Sequence, residues 1–329
     1  MLKRALIASA LLLGITLPLQ AAPKAPAKSG EAHPVFTDPG NAGPDFAFQG
    51  EYTTAGDVKQ KYGADVVALG DDQFQVVLLP GGLPGDGYDG RSRTELRAKR
   101  DGDAIKIESH DGYSGSIANG TLTLQTPNGA LEFKKVMRES PDAGAKPPEG
   151  ATVLFDGSNT DAWKGGKMTP DHLLEEGAET KKKYQSFTLH VEFLLPFKPL
   201  ARDQERGNSG IYIQRRYEVQ VLDTFGHPAE FNGCGSMYRQ HAPILNMCYP
   251  PLQWQTYDID FTAAQFDGSG KKIHDAVITV KQNGVLVQDH YPLTNKTGAG
   301  NKEGPEPGVI WLQEHHNPVR YRNIWIVEK

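Results

Sequence analysis

The sequence lacks several features that mark particular classes of protein. It has only 2 cysteines among 329 residues, too few for a disulfide-rich scaffold and without the CxxC pairs usual in zinc sites. With 35 basic and 40 acidic residues and no extended basic cluster, it offers no electrostatic footprint for nucleic acid or an anionic membrane. Helical periodicity is weak, the one short candidate being residues 171–177. An all-β protein is therefore expected.

The one long apolar run lies at the N-terminus. Lys3 and Arg4 precede "ALIASALLLGITLPL", and small residues follow, which is the layout of a secretory signal peptide. Residues 1–22 are therefore predicted to be removed near Ala21 or Ala22, giving a periplasmic or secreted protein. No later segment has the roughly 20 apolar residues of a membrane helix, and no cysteine suggests a lipid anchor, so no membrane anchor is expected.

Composition divides the rest of the chain into four parts. Strand patterns such as "DQFQVVLLP" and "GTLTLQT", punctuated by "DGD" and "PNG", predict a small β-rich module. After a Pro/Gly-rich break, strand patterns return, and Asn283-Gly284 predicts a hairpin between "VITVKQ" and "VLVQD". The predicted parts are a flexible linker (23–44), the β-rich module (45–138), a Pro/Gly linker (139–150) and a β-sandwich domain (151–329).

The two cysteines lie in one long loop of the second domain. Cys234 and Cys248 are 14 positions apart in "CGSMYRQHAPILNMC". In an oxidising compartment a disulfide is favoured over a metal pair. The sequence therefore predicts a bridge that orders this loop.

Several predicted strands carry polar side chains on one face. In "YEVQVLD", Glu218 and Gln220 alternate with apolar residues, and a strand places such alternating sets on opposite faces. By the same parity, Asn208, Tyr212 and Gln214 share a face in "GNSGIYIQ". Trp311, Gln313 and His315 do so in "WLQEHHN", and Arg320 and Arg322 in "VRYRNIW". A solvated sheet face would give the same pattern, so alternation alone leaves both interpretations open.

Seven motifs in order resemble a known family. They are "VLFDGSNTDAW", "GNSGIYIQ", "YEVQVLD", "CGSMYRQHAPILN", "LQWQTYDIDF", "VKQNGVLV" and "GVIWLQEHHNPVRYRNIWI". Over Thr152 to Val327 the chain resembles the 3-keto-disaccharide hydrolase domain family, which is similar in fold to concanavalin A-like lectins and glucanases. The resemblance implies a jelly-roll sandwich whose concave face holds a small sugar or oligosaccharide. His315 matches the histidine of the family's "LQxHG", where His316 replaces the glycine.

This resemblance turns the polar faces into a candidate sugar site. Planar polar side chains hydrogen-bond adjacent hydroxyls, and aromatic rings stack on the C–H face of a sugar. Glu218 and His315 are the candidate catalytic residues. The candidate substrate-binding residues are Asn208, Tyr212, Gln220, Tyr238, Trp311, Gln313 and Arg322, with Trp254 as a further possible stacking ring and Asp223 and His241 at the rim.

The family name implies a reaction that differs from ordinary glycoside hydrolysis, which uses two carboxylates. Gln220 stands where glucanases of similar fold carry the Asp of ExDxxE. The carbonyl of a 3-keto sugar acidifies the hydrogen at C2, so one base can remove it, the glycosidic oxygen can leave C1, and water can add afterwards. Glu218 or His315 is the expected base, and Arg322, Gln313 or a bound cation the expected enolate stabiliser.

Three alternatives stay open from the sequence. No cofactor is required by any motif, although a divalent metal held by His315, His316, Glu218 or Asp223 is possible without HExxH-type spacing. A glycan-binding module without catalysis would show the same polar face. The N-terminal module could also serve as an adaptor. If the protein is an enzyme, its expected partner is an upstream sugar 3-oxidoreductase that makes the keto substrate.

Overall fold

The protein is built from β-strands, in a computed structural model that describes residues 33–56 and 58–329. Within those residues the only helical turns are short 3₁₀ turns at Pro39–Asn41, Pro44–Ala47 and Asp203–Glu205. The all-β prediction is confirmed. The helix predicted at 171–177 is wrong, because Leu174–Glu175 pairs as a short strand instead.

Short alternating strands in the N-terminal half close into a barrel. The eight strands are β1 (Gly50–Thr54), β2 (Tyr62–Gly70), β3 (Gln73–Pro80), β4 (Thr94–Asp101), β5 (Ala104–His110), β6 (Tyr113–Ala118), β7 (Thr121–Thr126) and β8 (Gly129–Val136). Each pairs with the next, and β1 pairs with β8, so the barrel has no free edge. Alternate apolar residues such as Phe74, Val76 and Leu78 fill the interior. The predicted β-rich module is thus a packed barrel.

The C-terminal region forms two larger antiparallel sheets and a small two-stranded one. Its strands are β9 (Thr152–Phe155), β10 (Trp163–Lys164), β11 (Leu174–Glu175), β12 (Glu179–Thr180), β13 (Phe187–Leu194), β14 (Ser209–Ile213), β15 (Tyr217–Val221), β16 (Trp254–Thr262), β17 (Gln265–Phe266), β18 (Lys272–His274), β19 (Ala276–Gln282), β20 (Val285–Leu293), β21 (Trp311–Leu312) and β22 (Arg320–Glu328). The five-stranded sheet has the order β10-β12-β21-β14-β15, and the seven-stranded sheet the order β11-β22-β13-β16-β19-β20, with β9 beside β22.

The two larger sheets bury their apolar faces against each other. Ile211 and Val219 of the five-stranded sheet belong to the same buried cluster as Leu189 and Ile259 of the seven-stranded sheet. Burial at about 25 cal/mol per Å² of apolar area makes this shared core the main source of stability. The polar residues of alternate parity on β14 and β15 therefore point away from the core.

Two tight turns join neighbouring strands through residues with positive φ. Gln214 and Arg215 have φ of +52° and +58° at the turn from β14 to β15, the twist that suits a tight hairpin. Asn283 and Gly284, at +50° and +77°, join β19 to β20, which confirms the predicted hairpin.

Both predicted linkers contact the folded protein where the structure describes them. Phe36 N donates to Phe197 O at 3.0 Å, and Phe197 N donates back at 2.9 Å. Gly144 N donates to Glu192 Oε1 at 2.6 Å, which places the second linker on the outer face of the seven-stranded sheet. Residues 23–32 of the first linker and the predicted signal peptide lie outside the described residues. In the part that the structure covers, no helix is long and apolar enough to cross a membrane.

Candidate functional site

A cleft of about 280 Å³ lies on the polar face of the five-stranded sheet. It is lined by Gln204, Asn208, Tyr212, Glu218, Gln220, Tyr238, Arg239, Thr297, Gly298, Ala299, Gln313 and His315. Seven of the nine residues predicted for catalysis or substrate binding are in this set. Strand alternation placed six of these seven on one face, and the seventh, Tyr238, was predicted from the loop that carries the cysteines.

Strand register explains why these side chains meet. Tyr212 of β14 pairs with Glu218 of β15 on one side and with Trp311 of β21 on the other. In the next row Gly210 pairs with Gln220, and Gly210 O accepts from Gln313 N at 2.8 Å. Neighbouring strands thus supply successive rows of polar residues to the cleft floor.

Glu218 is a buried carboxylate in this floor. Glu218 is 2% exposed, and Tyr212 Oη donates a hydrogen bond to Glu218 Oε2 at 2.8 Å. Burial raises the pKa of Glu218 to about 7, because a low-polarity environment disfavours the charged form. A Cβ at Gly210 would lie well inside van der Waals contact of Glu218 Oε1. The missing side chain at Gly210 therefore makes room for the carboxylate.

Two amide oxygens of residues that line the cleft have no hydrogen-bond partner among the residues that the structure describes. Asn208 Oδ1 and Gln313 Oε1 are buried atoms without a hydrogen bond. Asn208 is itself 2% exposed, and its Nδ2 donates to Gln204 O at 2.8 Å, which fixes the amide. Because buried polar atoms are nearly always paired, these oxygens are suited to accept hydrogen bonds from the hydroxyls of a ligand.

Loops supply the lining residues that the sequence did not predict. These are Gln204, Arg239 and the segment 297–299. Thr297 Oγ1 accepts from Glu218 N at 3.0 Å, so this segment is anchored to the strand that carries the carboxylate. Loop residues lack the period-2 pattern that identifies a strand face, so only their position in the fold could reveal them.

His315 lies at the open end of the cleft on an exposed turn after β21. Its backbone N donates to Glu176 Oε2 at 3.3 Å. Burial is the main cause that raises the pKa of Glu176 to about 7. His316 has a φ of +57°, the left-handed region that favours glycine. The turn therefore keeps the backbone that a glycine would adopt, although His316 stands there.

Arg322 and Trp311 do not line the cleft, contrary to prediction. Arg322 belongs to β22 of the other sheet, where its Nε donates to Glu192 Oε2 at 2.7 Å and its guanidinium lies 3.9 Å from the ring centre of Trp254. Trp311 contacts Tyr212, but the guanidinium of Arg215 covers its ring at 3.3 Å. Sequence alternation gave the correct face of each strand. It did not reveal that Arg322 lies in the other sheet or that Arg215 covers the Trp311 ring.

Three other polar residues have structural partners. Gln214 Nε2 donates to Tyr184 O at 3.0 Å. Asp223 Oδ2 accepts from Arg206 Nε at 2.7 Å in the interior. His241 Nδ1 lies 2.8 Å from Gln288 Oε1, and its ring stacks on Tyr291. None of the three lines the cleft.

The predicted disulfide is not formed in the structure. Cys234 and Cys248 are buried free thiols. Cys234 Sγ lies 3.2 Å from Tyr257 Oη, while Cys248 Sγ donates to Leu222 O at 3.5 Å. The two thiols are also close enough to interact with each other, since Cys234 contributes to raising the pKa of Cys248 beyond the effect of burial. Across the described residues, no group of three or more His, Cys, Asp or Glu is placed to hold a metal ion.

Comparison with known proteins assigns the C-terminal half of the chain. Residues 150–327 match the family described as "3-keto-alpha-glucoside-1,2-lyase-like domain". The chain belongs to this family. The match includes every lining residue of the cleft and stops short of the barrel, so the cleft is a feature of the lyase-like domain. The resemblance read from the seven motifs is thereby confirmed.

Solved structures of Parabacteroides distasonis ATCC 8503 proteins, each described as a "putative glycosyl hydrolase", are similar to this chain. One is 34% identical with a TM-score of 0.51, covering 55% of this chain and 85% of the other. Two more are 20% identical, with TM-scores of 0.40 and 0.34; they cover 59% and 55% of this chain and 98% and 94% of their own. No curated protein matches. Family and relative together indicate a carbohydrate-active protein.

Proposed function

We propose that this protein is exported and cleaves the glycosidic bond of 3-keto-glycosides by removing the C2 proton. The observation that carries the proposal is Glu218, a buried carboxylate whose pKa is raised to about 7 by burial in a sugar-sized cleft. A general base works best when its pKa lies near the working pH. We also propose that the two packed sheets form a concanavalin A-like jelly roll whose concave face holds the sugar.

The proposed chemistry needs one base and a leaving-group proton. Glu218 takes the C2 proton, and the C–H electron pair forms an enolate on the C3 oxygen. The enolate collapses to a C1=C2 double bond as the glycosidic oxygen leaves C1 with its bonding electrons and gains a proton. Water then adds across the double bond to give the free 3-keto sugar.

The remaining cleft residues have roles that match this sequence of steps. Asn208 Oδ1 and Gln313 Oε1 accept hydroxyl hydrogen bonds and orient the ring. The Gln313 amide nitrogen and the His315 ring are the proposed donors to the enolate oxygen and to the leaving oxygen. Glu218 is the only carboxylate among the lining residues, which supports this route over one that needs two flanking carboxylates.

The test is release of a chromogenic aglycone from a 3-keto-glucoside, with the unoxidised glucoside beside it. The keto compound alone should react, with a rate that rises through about pH 7 as Glu218 loses its proton. Glu218→Gln should lower kcat by about 10²–10⁴-fold, the usual contribution of a general base. Full activity in Glu218→Gln would refute the mechanism, full activity in His315→Gln would remove the donor role of His315, and loss of wild-type activity with a chelator would add a metal.

A glycan-binding role without catalysis is the second candidate. The unpaired oxygens of Asn208 and Gln313 favour it, because they would hold an unoxidised sugar equally well. Calorimetric titration with ordinary and 3-oxidised disaccharides distinguishes the two functions. A binding module should hold the ordinary sugar stably, whereas the enzyme should consume the oxidised one.

A further inference from the structure

The N-terminal barrel lies outside the residues that match the family, yet it shares a segment of chain with the cleft. We infer that the barrel positions the segment 202–206 and through it Gln204, so that the barrel sets the geometry of one wall of the cleft. The inference rests on the proposed function only in taking the cleft as the place where the sugar binds. Its physical basis is a set of contacts that runs from β2 to Asn208.

The residues just before the segment 202–206 pack against the barrel. Phe197 follows β13 of the sandwich but is fully buried in the core cluster of the barrel. Its ring lies 5.9 Å from that of Phe36 and 5.2 Å from that of Phe46. Leu200 packs on Gly70 so closely that a Cβ there would overlap its side chain. The chain between β13 and β14 is thus fixed to the barrel before it reaches the cleft.

Two arginines then extend from the segment to the end of β2. The pairing of β2 with β3 shifts register between Ala68 and Gly70. Arg202 Nη2 donates to Leu69 O at 2.6 Å, within this irregularity. Arg206, which is 3% exposed, donates to Ala68 O at 3.4 Å and to Asp223 at 2.7 Å. The barrel therefore supplies backbone acceptors to residues on both sides of Gln204.

Gln204 links the segment to the cleft floor through hydrogen bonds. Its Oε1 accepts from Gln220 Nε2 at 3.1 Å, and its Nε2 donates to Asn232 O at 3.1 Å. Its backbone O accepts from Asn208 Nδ2. Displacement of the segment would consequently shift Asn208 and Gln220, two residues that line the cleft. Arg202 is thus a positioning residue.

The test uses the full-length chain with Arg202→Ala, and with Arg97→Ala as the matched control. Both arginines are exposed, so both variants should fold, but Arg97 lies on β4 of the barrel. Hydrogen exchange of peptides covering 199–209 measures the position of the segment without any substrate. Arg202→Ala should accelerate exchange there, since it loses the bond to Leu69 O of the barrel together with the bonds to Pro199 O and Ala201 O that the same guanidinium makes within the segment, and Arg97→Ala should leave exchange unchanged.

Kinetics on the 3-keto-glucoside then measure the effect on the cleft. Arg202→Ala should raise KM about threefold to tenfold, the range of one net hydrogen bond, with kcat nearly unchanged. In a Gln204→Ala background the same substitution should have little further effect, because it acts through Gln204. Full additivity, or unchanged exchange and KM, would overturn the inference. Faster exchange in Arg202→Ala with no turnover by the wild type would refute the proposed function and leave the positioning role supported.

Discussion

The raised pKa of Glu218 makes a prediction about stability that is independent of catalysis. In the unfolded chain this carboxyl should lose its proton near its ordinary value of 4.5, whereas in the fold it keeps the proton until about 7. The folded state therefore binds the proton more tightly, and the protein loses stability as the pH rises between these values. At 1.36 kcal/mol per pKa unit, the difference amounts to about 3 kcal/mol. Glu218→Gln removes this dependence.

The assay is urea unfolding of the wild type and Glu218→Gln at about pH 5 and about pH 8. Relative to the wild type, the variant should gain about 2.5 kcal/mol of unfolding free energy between the two conditions, slightly less than the full difference because pH 5 lies above 4.5. Comparing two proteins at each pH cancels the titration of all other groups. The same free-energy difference at both values would show that Glu218 titrates normally, and it would remove the main support for its role as a base near neutral pH.

Three further substitutions test other parts of the structure. Gly210→Ala places a methyl group against the Glu218 carboxylate and should lower kcat/KM on the keto-glucoside about tenfold or more; unchanged kinetics would mean that the carboxylate can move aside. Burial would raise the pKa of Glu192, but the His190 ring 3.6 Å away and hydrogen bonds from Asn323 and Arg322 lower it from 4.5 to about 2, so its contribution is present above pH 4.5 and is lost as the pH falls to 2. Glu192→Gln should therefore be less stable by about 3 kcal/mol at neutral pH in urea unfolding, and a deficit that persists near pH 2 would contradict this sign. His316→Gly should raise the thermal midpoint, since relief of left-handed backbone is worth about 1 kcal/mol; a lower midpoint would show that the His316 side chain stabilises the turn.

The cleft floor was predictable because its residues lie on regular strands. A strand puts alternate residues on opposite faces, so Glu218 and Gln220 had to point away from the core that Val219 enters. The same rule placed Tyr212 of β14, and Asn208 just before that strand, on the matching face. Sequence periodicity therefore gives the shared face wherever neighbouring strands in the chain are also neighbours in the sheet, and the resemblance to the family identifies that face as a site rather than a solvated surface.

Arg322 shows where this rule stops. Its parity is correct, because it points away from the core like Glu218, but β22 belongs to the opposite sheet. There it pairs with Glu192 on the outer face, beneath a linker whose composition predicted flexibility. Alternation shows which residues of a strand share a face. Long-range strand pairing determines the sheet to which the strand belongs, and therefore where on the molecule that face lies. Barrel closure was missed for the same reason, since it depends on the pairing of β1 with β8.

Gln204 extends this argument from prediction to function. It lies in a 3₁₀ turn with no periodicity of its own, and arginines on either side of it bond to a different sheet, the barrel. The family match covers the cleft floor but not this barrel support. Proteins that share the floor and lack the barrel must hold the corresponding wall by other contacts. Differences in sugar preference between such proteins should therefore arise at the Gln204 wall rather than at Glu218.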